Sequence, residues 1–267
     1  MKELKKPISI VESKKIQFNI LRQVANFCEK NNLRYFLAYG TLIGAIRHKG
    51  FIPWDDDTDI WMPRKDYNLF LDKFNSNESY RVINPKEDIA KHSYAKVIDT
   101  QTIKIEPNIK YNQFLGIDID VFPLDGVPEN EEDSILFYEK LQKIYRKHTV
   151  CILYPKSRNI LRNIKIIIKK LFSVDRKKLL LQAEEMHKEY PYEGCKYVAC
   201  YESSFNSIKN RSLKSDFEDY IMVEFEGEMF RAPIGYDRIL KNIYGNYMQL
   251  PPEEKRITHH TNKIFWR

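Results

Sequence analysis

The sequence predicts an α+β fold in which a mixed sheet is flanked by helices, and three observations support this class. A short apolar strand, a glycine turn, a short helix and a second strand follow one another between residues 34 and 62. Further short apolar runs lie between 94 and 122, and helical periodicity predominates after residue 130. With 267 residues and 43% apolar content, the chain is long enough for one large domain.

Helix and strand signals alternate through the first half of the chain. Ser9 precedes Glu12 by three residues, which is the capping-box spacing, and an apolar stripe then continues to residue 31. The aromatic run RYFLAY ends at Gly40 and predicts a buried strand. Together with the signals that follow, these features predict helices over 9–31, 41–47 and 66–74, and strands over 34–39, 58–62, 94–98, 102–106 and 117–122.

The second half of the chain is predominantly helical. Acidic residues at the start of 131–145 lie on the favourable side of a helix dipole. Later, 220–232 predicts a hairpin that turns at Glu226-Gly227, and 236–244 predicts a short helix that Gly245 ends. We expect a single domain over 1–267, with a core from about 9–125 and 195–267 and a helical, basic insertion over about 129–190.

Cysteine content and charge narrow the class of protein. The four cysteines lack CxxC spacing, so neither a zinc site nor a disulfide framework is predicted, and the cytoplasm is the expected location. No run of signal-peptide or membrane-spanning length is present, so we expect the protein to be neither exported nor integral to a membrane. The net charge of +7 comes without a nucleic-acid-binding signature, and no nucleic-acid partner is expected.

One strongly basic segment lies over 155–178, with nine Lys or Arg and a single acid, Asp175. Apolar residues recur within it at three-to-four spacing, which predicts an amphipathic helix. Such a helix can contact an anionic membrane, which would place the protein at the inner face of the plasma membrane, or it can hold a polyanionic acceptor. The simpler alternative is a surface helix whose apolar stripe packs on the core.

Three carboxylates two residues apart, Asp55, Asp57 and Asp59, directly precede an apolar strand. Because side chains alternate along an extended chain, these acids are predicted to share one face and to repel one another. A divalent cation such as Mg²⁺, or Mn²⁺ in its place, would relieve the repulsion, because hard cations prefer oxygen ligands. The alternative is a solvated acidic turn in which Asp56 and Asp57 cap local backbone. The continuation into apolar residues 60–62 favours the metal site.

The order of elements around these acids suits phosphate chemistry. A glycine turn, here Gly40 and Thr41, lets the backbone approach a phosphate, and the helix that follows offers free N–H groups. A next strand with two alternate carboxylates, Asp57 and Asp59, and a third acid from the strand at 117–122, is the arrangement of nucleotidyltransferase-type proteins. Such a set of acids holds one or two Mg²⁺ ions that stabilise phosphoryl transfer.

Four motifs resemble those of one family, in the same order along the chain. They are GTLIGAIRHKGFIPWDDDTDI at 40–60, YAKVIDTQT at 94–102, IDIDVFPLDG at 117–126 and YGNYMQLPPEEKRITHH at 244–260, so the similarity covers nearly the whole chain. The chain resembles the LicD family, which contains bacterial phosphocholine transferases and is related to the fukutin proteins. This resemblance implies a nucleotidyltransferase-like fold and a phosphotransferase with a CDP-activated donor such as CDP-choline. It implies that phosphocholine passes to a sugar hydroxyl of a lipopolysaccharide, a lipid-linked glycan or a teichoic acid precursor, with release of CMP.

The resemblance also assigns roles to the acids. The family's acidic motif falls on Asp55, Asp57 and Asp59, and its later carboxylate falls on Asp120. These four are the expected metal ligands; Asp57, Asp59 and Asp120 are the expected catalytic residues, with Asp120 as the acceptor of the hydroxyl proton. Asp118 stands where the family more often has an apolar residue. Because it shares a strand face with Asp120, it can either join the metal site or face solvent.

Basic residues near these acids are the expected ligands of the donor. Arg47 and His48 follow the short helix and either hold a phosphate or form a solvated surface cluster. Lys96 is an unusual cation to bury on a strand, so it is expected either to meet the donor phosphate or to pair with Asp99. The C-terminal motif completes the expected substrate-binding set, which is Gly40, Thr41, Arg47, His48, Lys96, Arg256, His259 and His260.

The donor's head group does not follow from the residues alone. Trp54, Trp61, Tyr67 and Tyr111 could surround a quaternary ammonium, although most rings in a chain with 13% aromatic residues must belong to the core. Phosphoethanolamine, glycerol phosphate and ribitol phosphate therefore stay open as alternatives to phosphocholine. A protein that binds nucleotide or glycan without turnover is the alternative from another class.

Overall fold

The computed structural model describes residues 6–74, 78–87, 90, 92–105, 115–153, 160–171, 175–201, 208–258 and 263–267, without the side chains of 169–171. The helices in these residues are α1 (Ile10–Lys30), α2 (Tyr39–Ile43), α3 (Arg64–Lys73), α4 (Glu131–Ile152), α5 (Ile160–Leu171), α6 (Arg176–Lys188) and α7 (Tyr236–Tyr244), and a π-helical turn over Gly44–His48 continues α2. The strands are β1 (Phe36–Leu37), β2 (Asp59–Pro63), β3 (Tyr80–Ile83), β4 (Ala95–Asp99), β5 (Thr102–Ile105), β6 (Asp118–Val127), β7 (Tyr197–Ala199), β8 (Ser212–Leu213), β9 (Tyr220–Phe225), β10 (Glu228–Pro233) and β11 (Lys263–Trp266).

The central sheet is mixed and places the two acidic strands side by side. Its strand order is β1-β2-β6-β4-β3, and the far end of β6 also pairs with β7, which in turn pairs with β8. The strands β2 and β6 are parallel, whereas the other neighbours in this order are antiparallel. Two antiparallel ribbons, β9 with β10 and β5 with β11, form separate pairs. The α+β class predicted from the sequence is confirmed.

The first helix covers the sheet because one of its faces is apolar. Its first turn is capped by Ser9, whose hydroxyl oxygen accepts a hydrogen bond from the Glu12 N–H (3.2 Å). Further along, Ile20, Leu21 and Val24 are fully buried in the main core. This packing fixes the position of the first two turns of α1, which reach the acidic loop described below.

A buried polar contact joins the helices after residue 130 to the sheet. Helices α4 and α6 share a second, smaller apolar cluster. Arg64, at the start of α3, donates two hydrogen bonds to Asp125 of β6 (2.6 and 2.5 Å), and His187 of α6 lies 3.4 Å from the same carboxylate. Burial alone would raise the pKa of Asp125, but Arg64 and His187 bring it below its ordinary value. The ionised carboxylate of Asp125 therefore contacts both α3 and α6 and connects them to the central strand.

The strand β6 is longer than predicted and runs through Pro123. The sequence places its end at Phe122, because a proline cannot donate a hydrogen bond to a neighbouring strand. In the structure, β4 pairs with β6 up to Val121, and β7 pairs with it only from Asp125 onward. Pro123 lies where the partner on this edge changes, so its missing N–H costs little and the strand continues.

Four short strands and the separate helix α6 were not predicted, and α4 continues seven residues past its predicted end at residue 145. The strands β3, β7, β8 and β11 contain only two to four residues, and strands of this length form because a partner strand is present. The basic segment over 155–178 spans α5 and the start of α6 rather than a single helix, and Asp175 caps α6 by accepting hydrogen bonds from the N–H groups of residues 177 and 178.

Among the described helices, none is both long and apolar enough to cross a membrane.

Candidate active site

Acidic residues from two parallel strands lie side by side near the start of each strand. Asp59, the first residue of β2, is directly opposite Asp120 of β6, and Asp120 is opposite Lys96 of β4. Residues paired across neighbouring strands point to the same face of a sheet, so these three side chains meet there. Asp59 is only 8% exposed. The parallel register thus brings together two of the acids that the sequence assigned to one site.

Asp55 and Asp57 lie in an irregular loop before β2 and not on the strand itself. Alternation along an extended strand, which the sequence analysis used to align all three acids, therefore applies only from Asp59 onward. The loop nevertheless brings the carboxylates together, because Asp55 and Asp57 share a side-chain hydrogen bond and both charges act on Asp59.

Three residues outside this loop hold it in place, and the sequence analysis missed them. Gln17 of α1 donates a hydrogen bond to the backbone carbonyl of residue 56 (2.8 Å) and accepts one from the Thr58 hydroxyl (2.9 Å). Lys14, one turn earlier, donates to two carbonyls in the loop (both 3.1 Å). Glu226, at the turn of the β9–β10 hairpin, accepts from the Phe51 N–H (3.0 Å). One of the three could have been found from the sequence. Gln17 is a polar residue within the apolar stripe of α1, and a polar side chain buried there needs a hydrogen-bond partner.

The turn between β1 and α2 fits closely around the acids. A Cβ atom on Gly40 would lie 2.4 Å from Asp55 Oδ2, so only glycine leaves room for that carboxylate in its present position. The Thr41 hydroxyl oxygen accepts a hydrogen bond from the Asp59 N–H (2.9 Å). Tyr39 has a positive φ of 44°, which is uncommon for a residue other than glycine and occurs at strained functional turns. Gly40 and Thr41 therefore position acids; their contact with a donor phosphate stays a prediction.

Burial raises the pKa values of three of these acids, Asp55, Asp59 and Asp120. Loss of solvent, together with the charge of Asp57, raises the pKa of Asp55 to about 8. Burial also raises the pKa of Asp59 well above its ordinary value, and the neighbouring aspartates raise it further while Lys96 lowers it. The pKa of Asp120 is likewise raised by burial, despite the opposing charge of Lys96. A cation near these carboxylates would favour their ionised forms.

Lys96 lies between two carboxylates. Its ammonium contacts Asp120 and is 2.5 Å from Asp118 Oδ2, while Lys104 is 2.6 Å from Asp118 Oδ1. Burial alone would raise the pKa of Asp118, but Lys104 and Lys96 bring it below its ordinary value. Asp118 is 6% exposed, so the alternative in which it faces solvent is wrong. Asp99, the alternative partner expected for Lys96, lies three residues along β4 and therefore on the opposite face of that strand.

A cavity of about 650 Å³ is lined by Asp55, Asp57 and Asp59. Its volume is in the range of small-molecule sites. The C-terminal residues 244–255 supply a further part of its lining. Tyr244 lies close enough to the acids that their charges add to the effect of burial in raising the pKa of its phenol. The lining residues Tyr244, Asn246, Tyr247 and Lys255 belong to the family motif at 244–260, but no role was predicted for them from the sequence.

Arg47 binds the C-terminal segment that lines the cavity. Its guanidinium donates hydrogen bonds to the carbonyls of Tyr247 (2.5 Å) and Gln249 (3.3 Å), and its Nε–H donates to His48 Nε2 (3.0 Å). Burial lowers the pKa of His48, and the Arg47 charge lowers it further. In its hydrogen bond with Arg47, His48 Nε2 is the acceptor. Arg47 also lines the cavity, and its expected contact with a donor phosphate stays a prediction.

The aromatic residues separate into cavity and core. Trp54 lines the cavity, and the Arg256 guanidinium lies 5.6 Å from the centre of its ring. Arg256 also donates a hydrogen bond to the Pro251 carbonyl (2.8 Å). Trp61 and Tyr67 are each 2% exposed and belong to the core, which is the alternative that the aromatic content favoured. Three residues from the sequence analysis lie outside the described ranges: Tyr111, His259 and His260.

The carboxylate oxygens of the site suit a Mg²⁺ ion that the protein binds through only some of its coordination positions. Carboxylate oxygens are the ligands this ion prefers, and it commonly binds through one or two of them together with substrate phosphates and water. Within the described part of the chain, no group of three or more His, Cys, Asp or Glu side chains is arranged to hold a metal ion by itself. Asp120 is in contact with Lys96, and the metal-binding role expected for the four aspartates stays a prediction.

Fold and site together define a class of protein. It is an α+β protein in which acids from neighbouring parallel strands and from a loop near a glycine turn collect beside one cavity. Residues 32–156 match the family described as LicD/FKTN/FKRP, nucleotidyltransferase domain. The chain is also 31% identical over 269 aligned positions to the lipopolysaccharide cholinephosphotransferase LicD of Haemophilus influenzae, covering 97% of this chain and 99% of the relative. This protein belongs to the LicD family.

Two more distant relatives match only in part. An uncharacterised protein of Rickettsia prowazekii is 41% identical over 49 residues, which is 18% of either chain. The mannosyltransferase regulator 4 of Saccharomyces cerevisiae is 28% identical over 134 residues, covering 47% of this chain and 11% of the yeast protein. The membership therefore rests on the near-complete match to the Haemophilus protein, and the name of the matching domain suggests a nucleotidyltransferase-like arrangement of the sheet.

Proposed function

We propose that this protein is a phosphotransferase that passes phosphocholine from CDP-choline to a sugar hydroxyl of a cell-surface glycan and releases CMP. Similarity over nearly the full chain to a relative named lipopolysaccharide cholinephosphotransferase supports this reaction class. The observation that carries the proposal is the placement of Asp55, Asp57 and Asp59 on one cavity, with Asp120 directly beside Asp59. The relative's name favours lipopolysaccharide as the acceptor, and a teichoic acid precursor is the alternative.

Asp57 and Asp59 would hold a Mg²⁺ ion, or Mn²⁺ in its place, with Asp55 beside them. A bound divalent ion supplies charge that neutralises the donor's phosphate oxygens and stabilises the leaving CMP. The raised pKa values of Asp55 and Asp59 support a cation-binding role, since burial and mutual repulsion of the acids are what a cation would relieve. Asp120, which Lys96 contacts, is assigned to proton transfer, and it can complete the ligand set of the ion as the sequence predicts.

In the proposed reaction, the acceptor oxygen attacks the choline-side phosphorus of the donor. The bond from that phosphorus to the bridging oxygen breaks, and CMP leaves with the electron pair. The hydroxyl proton passes to a carboxylate oxygen of Asp120, because burial raises the pKa of this carboxyl and makes it a stronger base than an exposed aspartate. Arg47 and Lys255 line the same cavity and would attract the donor's phosphates.

The acids do not distinguish between head groups, because every CDP-activated alcohol carries the same diphosphate. Phosphoethanolamine, glycerol phosphate and ribitol phosphate donors would bring identical phosphate oxygens to Asp57 and Asp59. Choline is favoured by the aromatic residues Trp54 and Tyr244 in the cavity lining, since aromatic faces attract a quaternary ammonium. A cytoplasmic location is part of the proposal, because the four cysteines are all free.

A donor comparison tests the proposed reaction. CMP release is measured with purified lipopolysaccharide as acceptor and with CDP-choline, CDP-ethanolamine, CDP-glycerol or CDP-ribitol as donor, before and after excess EDTA. We expect CDP-choline to react fastest, EDTA to stop the reaction, and added Mg²⁺ or Mn²⁺ to restore it. Full turnover in EDTA would contradict the proposed metal dependence. A faster reaction with one of the other donors would contradict choline as the head group. Tight binding of CDP-choline without product, under conditions in which the Haemophilus relative reacts, would indicate a binding protein.

The variant Gly40→Ala tests whether the position of Asp55 matters. The added methyl group would occupy space 2.4 Å from Asp55 Oδ2, so the carboxylate must rotate away while its charge is retained. We expect CMP release to fall about tenfold or more, because small displacements of site groups are costly to turnover. The thermal unfolding midpoint, followed by circular dichroism, should change little. Gly194→Ala is the matched control, since its methyl group would meet no atom closer than 3.7 Å. Equal activity of both variants would show that Asp55 is dispensable.

A further inference from the structure

The apolar residues of α5 face solvent and not the protein core. Ile160 and Leu161 are 72% and 70% exposed, and Ile164, Ile167 and Ile168 are each exposed by between 46% and 49%. The simpler expectation from the sequence, a surface helix with its apolar stripe on the core, is therefore wrong for these five residues, which we call the α5 stripe.

The α5 stripe is continuous. At about 100° per residue, its five members fall within an arc of about 120° around the helix. The less exposed positions Asn163 and Ile166 lie on a different side of the helix. Five large apolar side chains clustered on a helix of 12 residues differ from the single exposed apolar residues of an ordinary surface. A cluster of this kind marks an interaction surface.

The charge next to the α5 stripe indicates the chemistry of the partner. The helix carries four Lys or Arg and no acid, and the wider segment over 155–178 carries nine bases and one acid. Arg162 and Lys165 are both exposed, and at about 100° per residue both lie beyond the same edge of the stripe. Apolar side chains flanked by bases complement a surface that is apolar beneath and anionic above, as the acyl chains and phosphates of a lipid bilayer are.

The length of α5 determines how it can meet such a bilayer. Twelve residues at 1.5 Å per residue give a helix of about 18 Å, which is much shorter than a hydrocarbon core of about 30 Å. The helix cannot span the bilayer, whereas an amphipathic helix of any length can lie in the plane of its interface.

We propose that α5 docks this protein on the surface of an anionic lipid membrane. The α5 stripe enters the boundary between headgroups and acyl chains, and Arg162 and Lys165 contact lipid phosphates. This inference does not depend on the reaction proposed above, because it rests only on the exposure and charge of α5. If that reaction holds, docking would hold the acid-lined cavity at a membrane whose lipids can anchor its acceptor.

Cosedimentation with lipid vesicles tests the docking surface. The full-length protein is mixed with vesicles of phosphatidylcholine alone or of phosphatidylcholine with phosphatidylglycerol, at low and at high salt. We expect binding to the anionic vesicles, weakened by salt. Ile164→Gln/Ile167→Gln should lower the affinity at least about tenfold, because two apolar side chains no longer enter the bilayer. Arg162→Gln/Lys165→Gln should lower it about tenfold and reduce the salt dependence.

The control variant removes two equally exposed apolar residues from other helices. Leu136 of α4 and Leu181 of α6 are both 54% exposed, so Leu136→Gln/Leu181→Gln makes the same chemical change outside α5. Its vesicle binding should equal that of the unmodified protein. Three results would overturn the proposal: no binding to anionic vesicles, unchanged binding of the α5 variants, or dimerisation of the free protein that Ile164→Gln/Ile167→Gln abolishes while vesicle binding persists. CMP release with detergent-dispersed acceptor is measured in parallel, so that loss of docking and loss of catalysis are distinguishable.

Discussion

Replacing Asp59 with asparagine is expected to remove CMP release almost completely while making the fold more stable. Asp59 lines the cavity and lies directly opposite Asp120, so the proposed cation and the proposed base both depend on its carboxylate. Asparagine keeps the shape but loses the charge. We expect the rate to fall by at least about a thousandfold, which is the scale for loss of a group that stabilises transition-state charge. Initial rates at saturating Mg²⁺ and donor provide the measurement.

The gain in stability follows from the sign of the pKa shift. Burial and the neighbouring aspartates raise the pKa of folded Asp59 above that of the unfolded chain. Above the unfolded-state pKa of about 4, ionisation therefore favours unfolding, and Asp59 lowers the free energy of unfolding at neutral pH. An asparagine side chain carries no such penalty, so the Asp59→Asn variant should melt at a higher temperature in metal-free buffer at pH 7. The difference should disappear as the pH falls below about 4.

A neighbouring acid provides the matched control for this experiment. Asp56→Asn makes the same chemical change three residues earlier, in the loop that precedes β2, at a side chain that is not part of this cavity's lining. Its activity should stay within about threefold of the unmodified protein, which is the ordinary effect of a surface substitution. If Asp59→Asn kept a tenth of the activity, or melted at a lower temperature, the assignment of Asp59 as a strained ligand would be wrong.

Removal of Lys96 is expected to have the largest effect on stability. Lys96 is buried between Asp118 and Asp120, and its methionine variant would leave Asp120 next to Asp59 without a compensating charge. Breaking a buried ion pair from one side costs about 3–5 kcal/mol of unfolding free energy. Urea unfolding of Lys96→Met measures this loss. Activity should fall as well, since Asp120 loses the contact that orients it.

A double-mutant cycle separates the ion pair from general packing. In the Asp120→Asn background, Lys96→Met should cost less than in the unmodified protein, because one of the two carboxylates that Lys96 pairs with is already neutral. Lys241→Met provides the exposed comparison, since its pair with Asp237 on α7 lies in solvent and should leave the unfolding midpoint unchanged. Equal costs in the two backgrounds would mean that the charge of Asp120 contributes nothing to the stabilising effect of Lys96.

Local signals predicted the helices well and the strands less well. The helix over 236–244 and its end at Gly245 follow directly from apolar spacing and a glycine, both of which are visible in sequence. β1, by contrast, has only two residues, because its extent is set by its pairing with β2 and not by the apolar run around it. Likewise β6 continues through Pro123, since two different strands share one of its edges. Pairing between distant segments decides such boundaries, and local composition does not contain that information.

Local sequence and contacts between distant segments also differ in how well they predict the candidate site. Asp57, Asp59 and Gly40 carry recognisable chemistry at short spacing, so the sequence identified them. Gln17 and Glu226 support the acidic loop through hydrogen bonds to its backbone, and nothing in their local sequence indicates that partner. The ion pairs of Lys96 depend on the antiparallel register of β4 with β6, which cannot be known before the sheet is formed.

Two hydrogen bonds between distant segments, one beside the cavity and one at the acidic loop, have a consequence for how the protein is made. Arg47 bonds to a carbonyl 200 residues further along the chain, and Phe51 bonds to a carboxylate 175 residues away. Contacts of such wide separation form slowly, because a long loop must close before they stabilise anything. A chain that has left the ribosome only as far as residue 156 contains every acid of the site but neither partner of these contacts. Synthesis must therefore pass residue 249 before both carbonyls that Arg47 contacts are available, so this part of the cavity lining forms late.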